Sequence, residues 1–173
     1  MIGPVVINIK IIKYLTYSLA GALLVLLGGC ATPATPLDTA LFEGNSTEVL
    51  RLLAAQGNTQ AAKDQALLHS LFRAGIMPDS TKHLNVAKDL LANGANIHSD
   101  VNGFIALGVA KPEQVQFLAD HGFNLNARDS NGGQTLTHNA VLMGYEASQR
   151  TLVKNRVNLN IKDADNLTPL AWA

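Results

Sequence analysis

The residue types that carry chemistry most readily here are Cys30, the only cysteine, and five histidines: His69, His83, His98, His121 and His138. Imidazoles can ligate a metal, move a proton or activate a nearby hydroxyl. The spacing argues against each use. No two histidines lie four apart, as a zinc-binding helix requires, and no Cys/His cluster has the separation of a zinc site. Ser70 follows His69, but adjacent residues on a helix point about 100° apart and make no nucleophile and base pair. There is no Gly-Xaa-Ser-Xaa-Gly, no phosphate-cradling glycine loop and no carboxylate pair at a meaningful spacing. No catalytic residue, metal or cofactor is expected. His83 is expected in an inserted loop, His98 in a turn and His121 at a helix end.

Composition narrows the classes further. At 173 residues the chain fits one domain plus a leader, and its apolar content is ample for a core. Few aromatics and much Ala and Leu favour small, closely stacked helices over a large aromatic-lined pocket. Of 13 basic and 13 acidic residues, only Lys10 and Lys13 precede Cys30, leaving 11 basic against 13 acidic and a difference of −2. That balance makes no phosphate-tracking surface, so nucleic acid is not an expected partner.

The elements that must position these side chains repeat. Val49 with Leu52 and Leu53, Ala87 with Leu90 and Leu91, and Val115 with Leu118 and Ala119 keep i, i+3, i+4 spacing; Leu152 and Val153 make a fourth pair. Each set falls on one helical face. The pairs begin at 52, 90, 118 and 152, a mean interval of about 33. Gly57, Gly94 and Gly122 follow closely, where a helix end needs a left-handed residue. A short extended echo comes next: Asn96-Ile97-His98, Asn124-Leu125-Asn126, Asn158-Leu159-Asn160, each trailed by Asp100, Asp129 or Asp163 as turn-formers. Helices are expected near Asn45 to Gln56, Lys82 to Asn93 and Ala147 to Lys154, each presenting its apolar pair to the adjoining unit. Asn45 with Glu48 suits a cap. In "DNLTPLAWA", Thr168 can cap through its hydroxyl, with Pro169 at the first helical position.

The segment from Leu37 to Ala173 resembles ankyrin repeats, units of about 33 residues with a T-P-L-H-x-A signature. Thr168-Pro169-Leu170 with Ala173 matches except that Ala171 replaces the histidine; Thr135-Leu136-Thr137-His138 with Ala140, followed by Gly144, is a degraded copy. Leu68-His69 with Gly75, and Leu37 with Gly44, preserve less. The resemblance implies an all-α solenoid of stacked antiparallel helix pairs with hairpin-like turns, about four repeats plus an incomplete fifth. It implies that His69 and His138 hydrogen-bond neighbouring turns rather than catalyse. It also implies a protein partner held by turn tips and first helices on a concave face. Those residues are Asn102, Phe104, Ser130, Asn131, Asp165 and Asn166 at the tips, and Asn139 and Met143 on the helix. Phe104 is either an anchor or core beneath its turn. Departures are expected at the extra residues Ile76 to Asn85, at the short third unit with Pro112 opening its second helix, and at Arg156, where a glycine is usual and the helix is expected to run on. The fifth unit begins at Asp163 and stops at Ala173, as in a truncated product or a capping half-repeat, with Leu167, Leu170 and Trp172 partly uncovered.

Residues 1–29 have the order of an export signal: Lys10 and Lys13, an apolar run from Tyr14 to Leu27, then Gly28 and Gly29. The run is shorter than the roughly 20 residues that span a bilayer, so an uncleaved membrane helix is the weaker reading; a core thiol is weaker still. Leu27-Gly28-Gly29-Cys30 resembles a bacterial lipoprotein box, which implies lipidation at Cys30. The same resemblance implies, from Ala31 in place of an inner-membrane-retaining Asp after the cysteine, an outer-membrane anchor facing the periplasm. Residues 30–36, with "ATPATP", form a Thr/Pro tether, and 37–173 the repeat domain.

The sequence thus supports a non-catalytic protein-interaction module tethered by lipid to the bacterial envelope, inhibiting or scaffolding a periplasmic protein. It has no expected small-molecule substrate. A structural or non-functional remnant is the alternative, and a hydrolase stands behind both.

Overall fold

The computed structural model describes residues 35–99 and 110–173. Seven α-helices and one 3₁₀ turn make up the regular structure of those residues, with no strand among them: α1 Pro36–Glu43, α2 Ser46–Ala55, α3 Gln60–Ile76, α4 Ser80–Ala92, α5 Pro112–Asp120, α6 Leu136–Leu142, α7 Glu146–Lys154, and the turn Pro169–Trp172. The protein is all-helical in this region, as its 3.6-residue periodicity requires.

Chemistry at the helix starts explains where they begin. Thr35 accepts the Asp38 amide on its hydroxyl at 3.1 Å and its own amide donates to the Asp38 carboxylate at 3.1 Å, with Pro36 in the first position. Thr35 and Pro36, expected as tether, instead open α1. Asn45 Oδ1 accepts from the Glu48 amide at 3.2 Å and starts α2 where the sequence puts it.

One device ends the helices. The Gly57 amide donates to Ala54 O and the next amide, of Asn58, to Leu53 O; Gly94 and Ala95 do the same to Leu91 and Leu90, Gly122 and Phe123 to Ala119 and Leu118. Gly44 with Asn45 and Gly144 with Tyr145 close α1 and α6 in the same way. These paired bonds satisfy carbonyls that would otherwise lack donors, and they require a left-handed residue. Arg156 supplies it at the end of α7 with φ 56°, its amide bonded to Val153 O at 2.9 Å. The helix therefore stops at Lys154 rather than running on, because Val157, bonded to Leu152 O, is drawn inward and buried.

The expected loop from Ile76 to Asn85 is mostly helix. α3 continues to Ile76, only Met77–Asp79 are irregular, and Asp79 caps α4 through the Thr81 amide at 3.0 Å. His83 lies inside α4 with no exposed surface. At the C-terminal end Thr168 makes no side-chain capping bond and a 3₁₀ turn follows instead of an α-helix.

Helices joined by tight turns pack on each other: α1 on α2, α3 on α4, α6 on α7. Between pairs, α1 meets α3 and α2 meets α4; further on, α5 meets α7 and α6 meets the 3₁₀ turn. Leu53, Leu67, Leu71, Leu90, Leu118, Leu136 and Leu152 fill the interior, each less than 2% exposed. At roughly 1.5–3 kcal/mol for a fully buried leucine, this row outweighs any single polar contact. The apolar pairs do not bury evenly. Leu52, Leu91 and Ala119 are partly buried, and Val153 is 54% exposed.

Candidate functional site

Two acidic turns build the surface that the sequence singled out. Asp129 Oδ1 accepts the amides of Gly132 at 2.8 Å and Gln134 at 3.1 Å, while its backbone amide donates to Gln134 O at 2.9 Å. Asp163 Oδ1 does the same for Asp165 at 3.0 Å and Leu167 at 2.8 Å, with its amide on Leu167 O at 2.8 Å. A carboxylate spanning two amides fixes each hairpin-like turn without help from a sheet. The two are bonded directly, since the Ala164 amide donates to Gly132 O at 2.7 Å. Gly133 and Asn166 take the left-handed residue near the end of each turn, with φ 65° and 63°. A Cβ at Gly133 would lie 2.5 Å from Nη2 of Arg128 and would displace that guanidinium, whose Nε bonds Gly133 O at 3.1 Å.

His138 ties the turns to the helices behind them. Its Nδ1 accepts from the Thr135 amide at 3.2 Å and faces the Thr135 hydroxyl at 3.0 Å, so the proton resides on Nε2, 3.2 Å from Leu167 O. Burial pushes its pKa down; the Leu167 carbonyl and Asp163 pull the other way, Arg128 with the burial. The Trp172 ring meets the imidazole edge-on at 5.4 Å and donates its Nε1–H to Asp163 Oδ2 at 3.0 Å. A neutral, doubly engaged imidazole is a structural bridge. His69 at the matching place in α3 is half-buried, and burial lowers its pKa too, with Asp38 opposing and Arg73 adding to the shift.

An asparagine series runs parallel to the turns. Asn96, Asn124 and Asn158 each accept on Oδ1 the amide two residues ahead, from His98, Asn126 and Asn160, at 2.9–3.0 Å. These are Asx turns, so the echoed tripeptides bend instead of extending. Asn126 Oδ1 then accepts the Asn158 amide at 2.7 Å, and Asp64 Oδ1 the Asn96 amide at 2.7 Å.

The structure brings together Ser130 and Asn131 on one turn with Asp165 and Asn166 on the next, all exposed. Met143 is 45% exposed at the end of α6. Asn139, expected on an exposed helix side, is 7% exposed and buried with Thr137, His138 and Ala140, because α6 is enclosed by α7 and the 3₁₀ turn. Asn102, Phe104, Asp100 and Cys30 lie outside the described residues. His98 is exposed in a turn and stacks on Phe123 at 6.4 Å; His121 ends α5, with Nδ1 2.8 Å from Phe117 O. Leu170 is 81% exposed.

Sequence reasoning missed Phe42 and Arg73. Phe42 is 51% exposed at the end of α1, and the Arg73 guanidinium of α3 sits 5.0 Å from its ring centroid. Thr35-Pro36-Leu37 with Ala40 repeats the pattern of Thr168-Pro169-Leu170 with Ala173, and that signal marks the helix bearing Phe42.

Among the described residues no group of three or more His, Cys, Asp or Glu is placed to hold a metal, and no helix is long and apolar enough to cross a membrane. No family model matches the chain, and no curated protein is significantly similar to it.

Proposed function

We propose that residues 37–173 form an ankyrin-type solenoid that docks a protein partner without catalysis, held to the bacterial envelope by lipid on Cys30. The observation that carries the docking role is the Ala164 to Gly132 hydrogen bond, which sets consecutive turns side by side with Ser130, Asn131, Asp165 and Asn166 exposed on them. The order of helix contacts, first with first and second with second, supports the solenoid. Turns fixed by a carboxylate that spans two amides lose little entropy on docking, so a few side chains can supply affinity. The envelope address rests on the sequence before Cys30 alone.

The test places a photoreactive residue at Asn131 or Asn166 of the full chain in living cells. The reading predicts a discrete protein adduct from both positions and none from Arg150, exposed on α7. Equal labelling from all three would sink it. Fatty-acid analogue incorporation that persists in Cys30→Ser would remove the tether.

A further inference from the structure

We propose that the boundary between the α1–α2 pair and the α3–α4 pair is an acid-released seam, with His83 as its trigger.

His83 lies in the first turns of α4, fully buried, and neither ring nitrogen has a hydrogen-bond partner among the described residues. A neutral imidazole bears this arrangement at modest cost; an imidazolium, with two N–H donors and a full charge, cannot. The surroundings sharpen the difference. Burial disfavours a charge most, Lys82 on its own helix and Arg73 on α3 add to that, and Asp79, the α4 cap, opposes them together with the Leu41 carbonyl. α1 faces the ring with the Leu41 carbonyl rather than a carboxylate, and that carbonyl forms no bond of normal geometry with it. α2 brings the apolar Val49 and Leu53 to its buried side. The positive end of the α4 dipole adds to the penalty. His69 on α3 is the other titratable imidazole here; burial disfavours its charge too, but Asp38 of α1 offsets part of that and the ring is only half-buried.

Few polar contacts hold the seam against that penalty. Ser46 Oγ bonds Asp89 Oδ2 between α2 and α4, Arg73 covers Phe42 between α1 and α3, and the methylenes of Lys82 pack over Gly44. A protonated His83 must reach water, and the proposed route is displacement of α1 and α2 from α3 and α4. Release separates Phe42 from Arg73, so the aromatic and guanidinium surface exists only while His83 is neutral. None of this depends on what the turn tips bind.

Amide hydrogen exchange of the whole protein, corrected for intrinsic rates, tests the seam between about pH 7.5 and about pH 5, either side of the ordinary histidine range. Protection in α1 and α2 should fall by roughly tenfold for each unit by which protonation is disfavoured, while α5 and α7 fall less. His83→Leu should keep protection at the higher pH and lose the acid response; His69→Gln should retain it. Should His83→Leu fail to fold, imidazole NMR of the wild-type chain decides: His83 must gain its proton together with the loss of α1 and α2 protection. A ring that protonates while those amides stay protected overturns the proposal, as does an acid response that follows His69.

Discussion

The Nε2 of His138 lies 3.2 Å from the carbonyl oxygen of Leu167, 29 residues further along the chain, while its Nδ1 holds the Thr135 amide at 3.2 Å. One side chain thereby closes the start of α6 and fixes the following turn. In α1, Asp38 performs only the first of these tasks, accepting the Thr35 amide. His138→Ala leaves the buried Thr135 amide unpaired and takes one of two donors from the Leu167 carbonyl, which keeps the Asp163 amide, and should cost about 1–3 kcal/mol. Urea unfolding followed by circular dichroism measures it. A loss below about 0.5 kcal/mol, the range of neutral surface changes, would show that the bridge is idle.

Stability should fall on mild acidification. Burial lowers the pKa of His69, His83 and His138 in the fold. The unfolded chain therefore binds more protons than the folded one as pH drops from the ordinary histidine value, about 6.5, to the lowered folded values. The contribution is complete above that ordinary value and is lost below it, with a slope of at most about 1.4 kcal/mol per pH unit for each imidazole. Urea midpoints should stay level from about pH 8 to about pH 6.5 and fall from there to about pH 5.5; a series that stays flat or rises below about pH 6.5 contradicts the burial of these rings.

Helix ends were the most legible part of the fold, because each is set by local chemistry. A glycine after an apolar pair, or Asn45 three residues before Glu48, specifies its own bonds. What escaped the sequence was decided by neighbours. "PDSTKHLN" is polar enough to suggest a loop, yet burial of His83 against the first pair makes it helix. Val153 has the right spacing for the core and stays exposed; Asn139 has the wrong polarity for it and is enclosed. Of the candidate surface, the tips Ser130, Asn131, Asp165 and Asn166 could be located from Asp129 and Asp163. Phe42 required recognising that Thr35-Pro36 is a cap rather than the end of a tether.

Arg156 and Gly57 form a matched pair for the left-handed cap, at φ 56° and 86°. A Cβ at Gly57 would meet nothing within 4 Å, so Gly57→Ala isolates the backbone strain and should destabilise by about 1 kcal/mol. Arg156→Gly relieves the same strain but frees the unfolded chain, leaving a net gain of about 0.5–1 kcal/mol. Thermal unfolding should move in opposite directions for the two variants. Shifts of the same sign would mean that Arg156 earns its conformation through side-chain contacts.

Gly75 should reverse the usual rule for a helical glycine. It lies within α3 with ordinary helical φ, where alanine is normally better by about 1 kcal/mol. Here a Cβ would come 2.7 Å from Nε2 and 2.9 Å from Oε1 of Gln114. That buried amide has no slack. Its Nε2 donates to Leu71 O at 2.7 Å and its Oε1 accepts the Lys111 amide at 3.0 Å, so it joins α3 to the start of α5. Moving it breaks one or both bonds in a buried site, at about 1–3 kcal/mol, which outweighs the propensity gain. Gly75→Ala should therefore lower stability by about 1–2 kcal/mol. In Gln114→Ala the obstacle is gone, and the same substitution should become neutral or stabilising. A double-mutant cycle by urea denaturation reads the coupling, and additive effects would disprove the contact.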